Sequence, residues 1–258
     1  MFTTGNHPIP CKDRLRYVQG DRNKDFTGIK GNFDVVIDMC AYTGNHVQKA
    51  LEELSLKKYV LMSTAAAYAK PKGLPLEESS PLGSWPVWGN YNIGKTEAEI
   101  VLQKSGKRHA ILRPVYVLGA RNHLERESFI YSSIRKHIPI VLPGNGNATV
   151  QFVFVQDVAD AIVLLAETDA EGAFNCCGDE SITLRGLVEE MAKIAGEAVR
   201  IIYNPAADGT NFIDNEFPFA NENLVCSNEK LKTLGWKPTP LREWLRRDYK
   251  NYYRNHPR

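Results

Sequence analysis

Residues 33–39, Phe-Asp-Val-Val-Ile-Asp-Met, make a nearly continuous apolar run of strand length. A run of this kind suits a strand buried on both faces of a parallel sheet. Residues 46–54 then read as a helix and residues 58–62, Lys-Tyr-Val-Leu-Met, as a second strand. Strand, helix, strand is the unit from which parallel sheets are built, because parallel neighbours need a crossover between them. The alternation continues with a helix over 91–104, a strand over 109–112 and a helix over 127–137. A short strand at 140–141 precedes the turn Pro143-Gly144-Asn145-Gly146. Beyond it come a strand over 150–155, a helix over 157–167, a strand over 174–177, a helix over 184–195 and a strand over 199–203. Helices over 228–234 and 241–253 close the chain, and residues 15–18 read as a short strand before Gly20-Asp21. The class is α/β with a mostly parallel, Rossmann-like sheet. Loops lengthen after Gly119, which divides the chain into residues 1–118 and a smaller α/β lobe over 119–258, with residues 150–177 returning to the first sheet.

Charge excludes some partners. Lys+Arg 32 against Asp+Glu 30 leaves a net charge of +2, too nearly balanced to announce nucleic acid. No apolar run approaches the ~18–20 residues that span a bilayer, and residues 1–12 carry no signal-peptide core. The five cysteines, Cys11, Cys40, Cys176, Cys177 and Cys226, form no C-x-x-C pair and read as reduced residues of a cytoplasmic protein. Cys176 and Cys177 are strand neighbours pointing to opposite faces, which argues against a shared zinc.

The residues that carry chemistry centre on Tyr91-Asn92-Ile93-Gly94-Lys95. On a helix, positions i and i+4 share a face, so the Lys95 ammonium is expected beside the Tyr91 phenol, favouring its phenolate. A phenol so tuned exchanges a proton with a substrate hydroxyl or carbonyl, and the lysine has donors for a ribose. Alone, a Y-x-x-x-K spacing also describes many ordinary helix starts. Upstream, the second strand ends in Ser63-Thr64, where a hydroxyl can meet the same substrate oxygen; a turn or helix cap is the simpler account of that pair.

Taken in order, Ser63-Thr64-Ala65-Ala66-Ala67-Tyr68, then Tyr91–Lys95, then Leu112-Arg113-Pro114-Val115-Tyr116-Val117-Leu118-Gly119 resemble the extended short-chain dehydrogenase/reductases, the NAD-dependent epimerase/dehydratase family. Its later motifs resemble Gly144-Asn145-Gly146, the run 151–160, Phe174–Gly178 and Lys230–Pro238, so the match covers nearly the whole chain. The resemblance implies an NAD(P)-dependent oxidoreductase or epimerase acting at a hydroxyl or carbonyl carbon of a sugar-nucleotide-like substrate. It implies Tyr91 as acid/base, Lys95 as its tuner and ribose ligand, and Thr64 as the hydroxyl orienting the reacting oxygen. Asp21, Arg22, Met39, Cys40, Ala41, Pro114 and Val117 would then face the cofactor, and Ser63, Arg121 and Asn122 the substrate. A homodimer through the helix over 91–104 is a further implication.

Departures from the family pattern are informative too. No G-x-x-G-x-x-G or G-x-G-x-x-G occurs, although the family opens on such a loop to cradle the cofactor pyrophosphate. Residues 1–8 look like the end of the second strand, with Thr4 where an arginine for a 2′-phosphate is expected, which leaves NAD slightly ahead of NADP. The reading is therefore of an N-terminally truncated sheet, in which the strand over 33–39 loses a neighbour and dinucleotide binding is weak. Ala65 and Ala66 replace the Asp-Glu pair of the 4,6-dehydratases. Val150 stands where sugar-diphosphate epimerases place an arginine and Phe154 where they place a histidine. Arg121, Arg126 and Arg135 are the candidate substitutes, with the last two read as surface helix charge. Two alternatives stand beside the enzyme: an inactive fragment, and an RNA-binding relative on the same fold.

Overall fold

The computed structural model describes residues 1–6, 12–209 and 216–255. Cys11 and the last three residues of the basic tail lie outside them.

The core is a four-stranded parallel sheet of β3 (Asn32–Asp38), β4 (Ser55–Met62), β5 (Arg108–Pro114) and β9 (Gly172–Cys176), in the order β3-β4-β5-β9. Its crossovers are α1 (Gly44–Glu53) between β3 and β4, and α2 (Gly89–Lys104) between β4 and β5. After β5 come β6 (Tyr116–Leu118), α3 (Arg126–Arg135), β7 (Ile140–Pro143), β8 (Thr149–Phe154) and α4 (Val155–Glu167) before the chain returns to β5 through β9. Then β10 (Ser181–Thr183), α5 (Leu184–Ala195), β11 (Ile201–Asn204), α6 (Glu229–Lys232) and α7 (Leu241–Asp248) complete the second half. There β8 pairs with β6 in parallel and with β10 antiparallel, while β7 pairs with β11 in parallel.

The helix ends follow ordinary capping chemistry. Thr43 caps α1 by accepting from the His46 amide, Thr183 caps α5 by accepting from the Gly186 amide, and α5 stops at Gly196 in the left-handed region (φ 74°). One large hydrophobic core joins β4, β5 and the second half, with Trp85, Tyr131 and Trp244 fully buried; a smaller one packs α1 and α2 on the other face of the sheet.

Two expectations need correction. The strand over 15–18 is shorter and later: β2 is Val18–Gln19, and it pairs in parallel with β1 (Phe2–Thr3), apart from the main sheet. The Phe2 ring instead leans on Phe26, with centroids 5.1 Å apart. Likewise β3 is not buried on both faces. It is an edge strand among the described residues, Asp34 and Ile37 are exposed, and Asp38 alone is fully buried. The edge position agrees with the expected loss of a neighbour; it is the burial of both faces that the apolar run overstated.

Candidate active site

The site forms where β4 and β5 end and α2 begins. Thr64 leaves β4 in extended backbone and caps a short turn over Ala65–Ala67, its hydroxyl accepting from the Ala66 amide at 3.1 Å. Helix α2 holds that turn in place. Asn92 Nδ2 donates to the carbonyls of Ala66 (2.6 Å) and Tyr68 (3.2 Å), and Thr96 Oγ1 donates to that of Ala67 (2.9 Å). The Asn92 oxygen accepts from the Trp85 amide, so this buried amide is satisfied at both ends.

Tyr91, Lys95 and Glu99 succeed one another at i, i+4 and i+8 on α2. Lys95 is buried and donates to the Met62 carbonyl at 2.8 Å, with its nitrogen 4.9 Å from the centroid of the Tyr42 ring and 6.0 Å from that of Tyr91. Tyr42 comes this close because Gly94 has no side chain: a Cβ there would lie 2.2 Å from the Tyr42 carbonyl oxygen. Burial lowers the Lys95 ammonium to about 8, against the opposing charges of Asp38, Cys40 and Glu99.

Tyr91 goes the other way. Burial raises its phenol above the ordinary value, while a hydrogen bond with Thr64 and the charge of Arg126 work against that rise. The expected lowering of Tyr91 by Lys95 is thus not what this geometry does, and desolvation wins. The rise leaves the phenol neutral at physiological pH, although the residue as a whole is 43% exposed.

Beneath Thr64 lies a buried ion pair. Arg113 Nη2 meets Glu99 Oε2 at 2.6 Å, and its Nε donates to both carboxylate oxygens at 3.1 Å. Ser63 donates its hydroxyl to Glu99 as well. Arg113 Nη1 donates to the Tyr68 hydroxyl at 2.9 Å, which in turn donates to Asn175 Oδ1 at 2.7 Å. The ends of β4, β5 and β9 are thereby locked together under the site.

Of the residues expected to act, Met39, Ser63, Thr64, Tyr91 and Lys95 line a single cavity of about 690 Å³. Pro114, Val117, Arg121 and Asn122 line its far wall. Ser63 turns its hydroxyl away toward Glu99, and Arg121 is exposed with a left-handed backbone (φ 66°). The loop bearing Arg121 and Asn122 is pinned by Glu127, which accepts from the Gly119 amide at 2.5 Å and from Asn122 Nδ2 at 3.0 Å. Four expected cofactor residues do not line the cavity. Asp21 caps its own turn by accepting from Asn23, and Ala41 is entirely core. Arg22 forks onto Asp38 at 2.6 and 2.8 Å, with Cys40 Sγ accepting a further contact at 3.4 Å.

Sequence reasoning passed over Tyr42 and Trp88, and it assigned Arg126 to the surface. All three line the cavity. The Arg126 guanidinium lies 5.2 Å from the centroid of the Tyr116 ring and 5.5 Å from that of Phe219. Phe219 is remote in sequence, so no local pattern pointed to it. The one signal was position: Arg126 opens α3, directly after the loop that closes the cavity.

A sequence model of the NAD dependent epimerase/dehydratase family matches residues 33–177. The chain belongs to this family. Among family relatives, it is 30% identical over 262 residues to "Chloroplast stem-loop binding protein of 41 kDa b, chloroplastic" of Arabidopsis thaliana, covering 92% of this chain and 68% of that protein. It is 26% identical over 212 residues to a "Putative UDP-glucose 4-epimerase" of Methanocaldococcus jannaschii, covering 78% and 65%. The chain thus spans about two thirds of the length of these curated relatives. A solved putative epimerase from Burkholderia cenocepacia superposes with a TM-score of 0.75 at 20% identity, over 96% of this chain and 88% of that one, a likeness of fold.

Proposed function

We propose that this chain acts on a hydroxyl or carbonyl carbon of a sugar-nucleotide-like small molecule, with Tyr91 exchanging the proton and Thr64 orienting the reacting oxygen. One observation carries the reading: Thr64, Tyr91 and Lys95 converge on one cavity whose walls include Pro114 and Val117. The residues fit a nicotinamide and its ribose. Lys95 has three ammonium donors, of which, among the described residues, only the one to Met62 is engaged, and it faces the cavity. Pro114 and Val117 offer an apolar wall for a flat ring. When bound, a nicotinamide dinucleotide supplies the hydride acceptor and donor, NAD ahead of NADP because Thr4 offers a 2′-phosphate no charge.

The chain's own residues do the rest. As the neutral phenol, Tyr91 gives its proton to a developing alkoxide; as the phenolate so formed, it takes one from a hydroxyl. Thr64 hydrogen-bonds the same oxygen and so fixes which carbon reacts. Lys95 holds ribose hydroxyls and, when protonated, stabilises a Tyr91 phenolate. The sequence contains no glycine-rich pyrophosphate loop, so the reading concerns the reacting end of the cofactor. The test is incubation with NAD and UDP-glucose, followed by NMR detection of the 4-epimer. Tyr91→Phe should lower turnover by about 10²–10⁴-fold while calorimetry shows UDP-glucose still bound. Turnover unchanged by that substitution overturns the assignment.

A second reading rests on the stem-loop binding relative: RNA as the ligand of the same fold. The net charge of +2 weighs against it. Retention of a stem-loop RNA that falls steeply with salt would favour it, because phosphate contacts release counterions.

A further inference from the structure

Arg126 is a cavity-lining cation whose setting the proposed chemistry leaves unexplained. Its guanidinium lies near the Tyr116 and Phe219 rings, 5.2 and 5.5 Å from their centroids, and its Nε donates to the Pro218 carbonyl at 3.3 Å. Among the described residues it has no further hydrogen bond and no ion pair. The neighbouring carboxylate, Glu127, is engaged by the Gly119 amide and Asn122. Four terminal N–H donors of a group that stays charged at neutral pH therefore have no described partner. The side chain is half-buried, which pulls its basicity down, and the hydroxyl of Tyr91 feels its charge. It shares the cavity with Tyr91, Thr64 and Trp88.

A half-buried cation whose neighbouring carboxylate is committed to other donors is only partly compensated, and contact with two rings offsets only part of the remainder. The two rings stand at 80° to each other and bound the guanidinium on two sides, and its planar fork suits two oxygens of one anion. We infer that Arg126 is the specificity residue for a carboxylate carried by the reacting part of the substrate, so that the preferred ligand is a uronic-acid type of sugar nucleotide. This rests on the sugar-nucleotide reading above. A carboxylate is favoured over the diphosphate because the arginine shares its end of the cavity with the proton-exchanging phenol, where the reacting ring must lie.

UDP-glucuronate, UDP-glucose and UDP separate the possibilities, since all three carry the diphosphate and only the first the ring carboxylate. Calorimetry should find UDP-glucuronate bound at least tenfold more tightly than UDP-glucose. Arg126→Met, which keeps apolar packing between the rings, should abolish that difference and leave UDP binding as it was; Arg126→Lys, charged but without the fork, should restore part of it. Equal weakening of all three ligands by Arg126→Met would assign the arginine to the diphosphate and overturn the inference, as would no effect on any of them. A parallel titration of tryptophan fluorescence with free D-glucuronate against D-glucose needs no nucleotide. A response to glucuronate that Arg126→Met removes, with no UDP-sugar bound, would strike the nucleotide reading alone. No glucuronate response in the unmodified protein, or one that survives Arg126→Met, would strike the arginine assignment.

Discussion

Glu99 and Arg113 meet in the interior, side chains 0% and 2% exposed, through three guanidinium–carboxylate contacts of 2.6 to 3.1 Å. Each neutralises a charge that water cannot reach. Glu99→Ala should therefore destabilise the protein by about 3–5 kcal/mol, because it strands the arginine. The double change Glu99→Leu with Arg113→Met should cost less than Glu99→Ala alone. Urea unfolding of the two variants checks this, and a double variant weaker than Glu99→Ala contradicts it.

Lys95 gives a pH signature. Its folded value of about 8 lies below the ordinary 10.5. The folded state thus disfavours the charged form: stability is full above about 10.5, declines as the pH falls toward 8, and is constant below. The penalty below 8 is on the order of 3 kcal/mol, at about 1.4 kcal/mol for each tenfold change in proton affinity. Lys95→Met should stabilise the protein at pH 7, and the gain should shrink as the pH rises from 8 to 10. Thermal unfolding across that range, with the variant measured beside the unmodified protein, reads the difference directly.

Gly94 is a close-approach glycine in mid-helix. Gly94→Ala would gain helix propensity, roughly 1 kcal/mol, but its methyl group would collide with the Tyr42 carbonyl. The clash should win, with a net loss of about 1–3 kcal/mol. Tyr42 should move off Lys95, so the pH dependence predicted for Lys95 should change in the same variant. A Gly94→Ala protein more stable than the unmodified one would refute the packing argument.

Arg22 and Asp38 form a second buried pair, here at the end of the edge strand. Burial alone would raise the Asp38 carboxyl, yet Arg22, the Tyr59 hydroxyl and the Cys40 amide overcome it and hold the value below the ordinary one. That contribution is present above the ordinary carboxylate value, about 4, and is lost as the pH falls through the lowered one. Arg22→Ala should cost about 3–5 kcal/mol at pH 7, and it should lose less additional stability on acidification than the unmodified protein does. Acid titration followed by circular dichroism tests both parts.

Much of this was legible in the chain. The periodicity over 184–195 reproduces α5, Leu184–Ala195, and the crossovers α1 and α2 fall within two residues of their sequence bounds. The convergence of Thr64, Tyr91 and Lys95 was legible as well, because Thr64 follows the end of β4 and the i, i+4 spacing on α2 is set locally. Arg126 was not. Its role depends on Phe219 and Tyr116 arriving from other elements, and a charged residue opening a helix looks the same from the sequence whether it faces water or a cavity. The pairing of Arg22 was not legible for a similar reason, since Asp38 claims it across 16 residues of chain. The basicity of Tyr91 was misread because spacing reports neighbours, whereas desolvation depends on everything around them.

The separation of β1 and β2 from the main sheet has a kinetic consequence. The Val18 amide reaches the Met1 carbonyl at 2.9 Å and the Gly20 amide that of Thr3 at 3.1 Å, whereas the Ser63 amide meets the Leu112 carbonyl at 2.8 Å in the interior. Two short ribbons can part without disturbing β3, β4 or β5. In deuterated solvent the amides of Val18 and Gly20 should exchange through local opening, orders of magnitude sooner than that of Ser63, whose release requires global unfolding. One chain would then keep two clocks, and the faster one would run at its amino-terminal end.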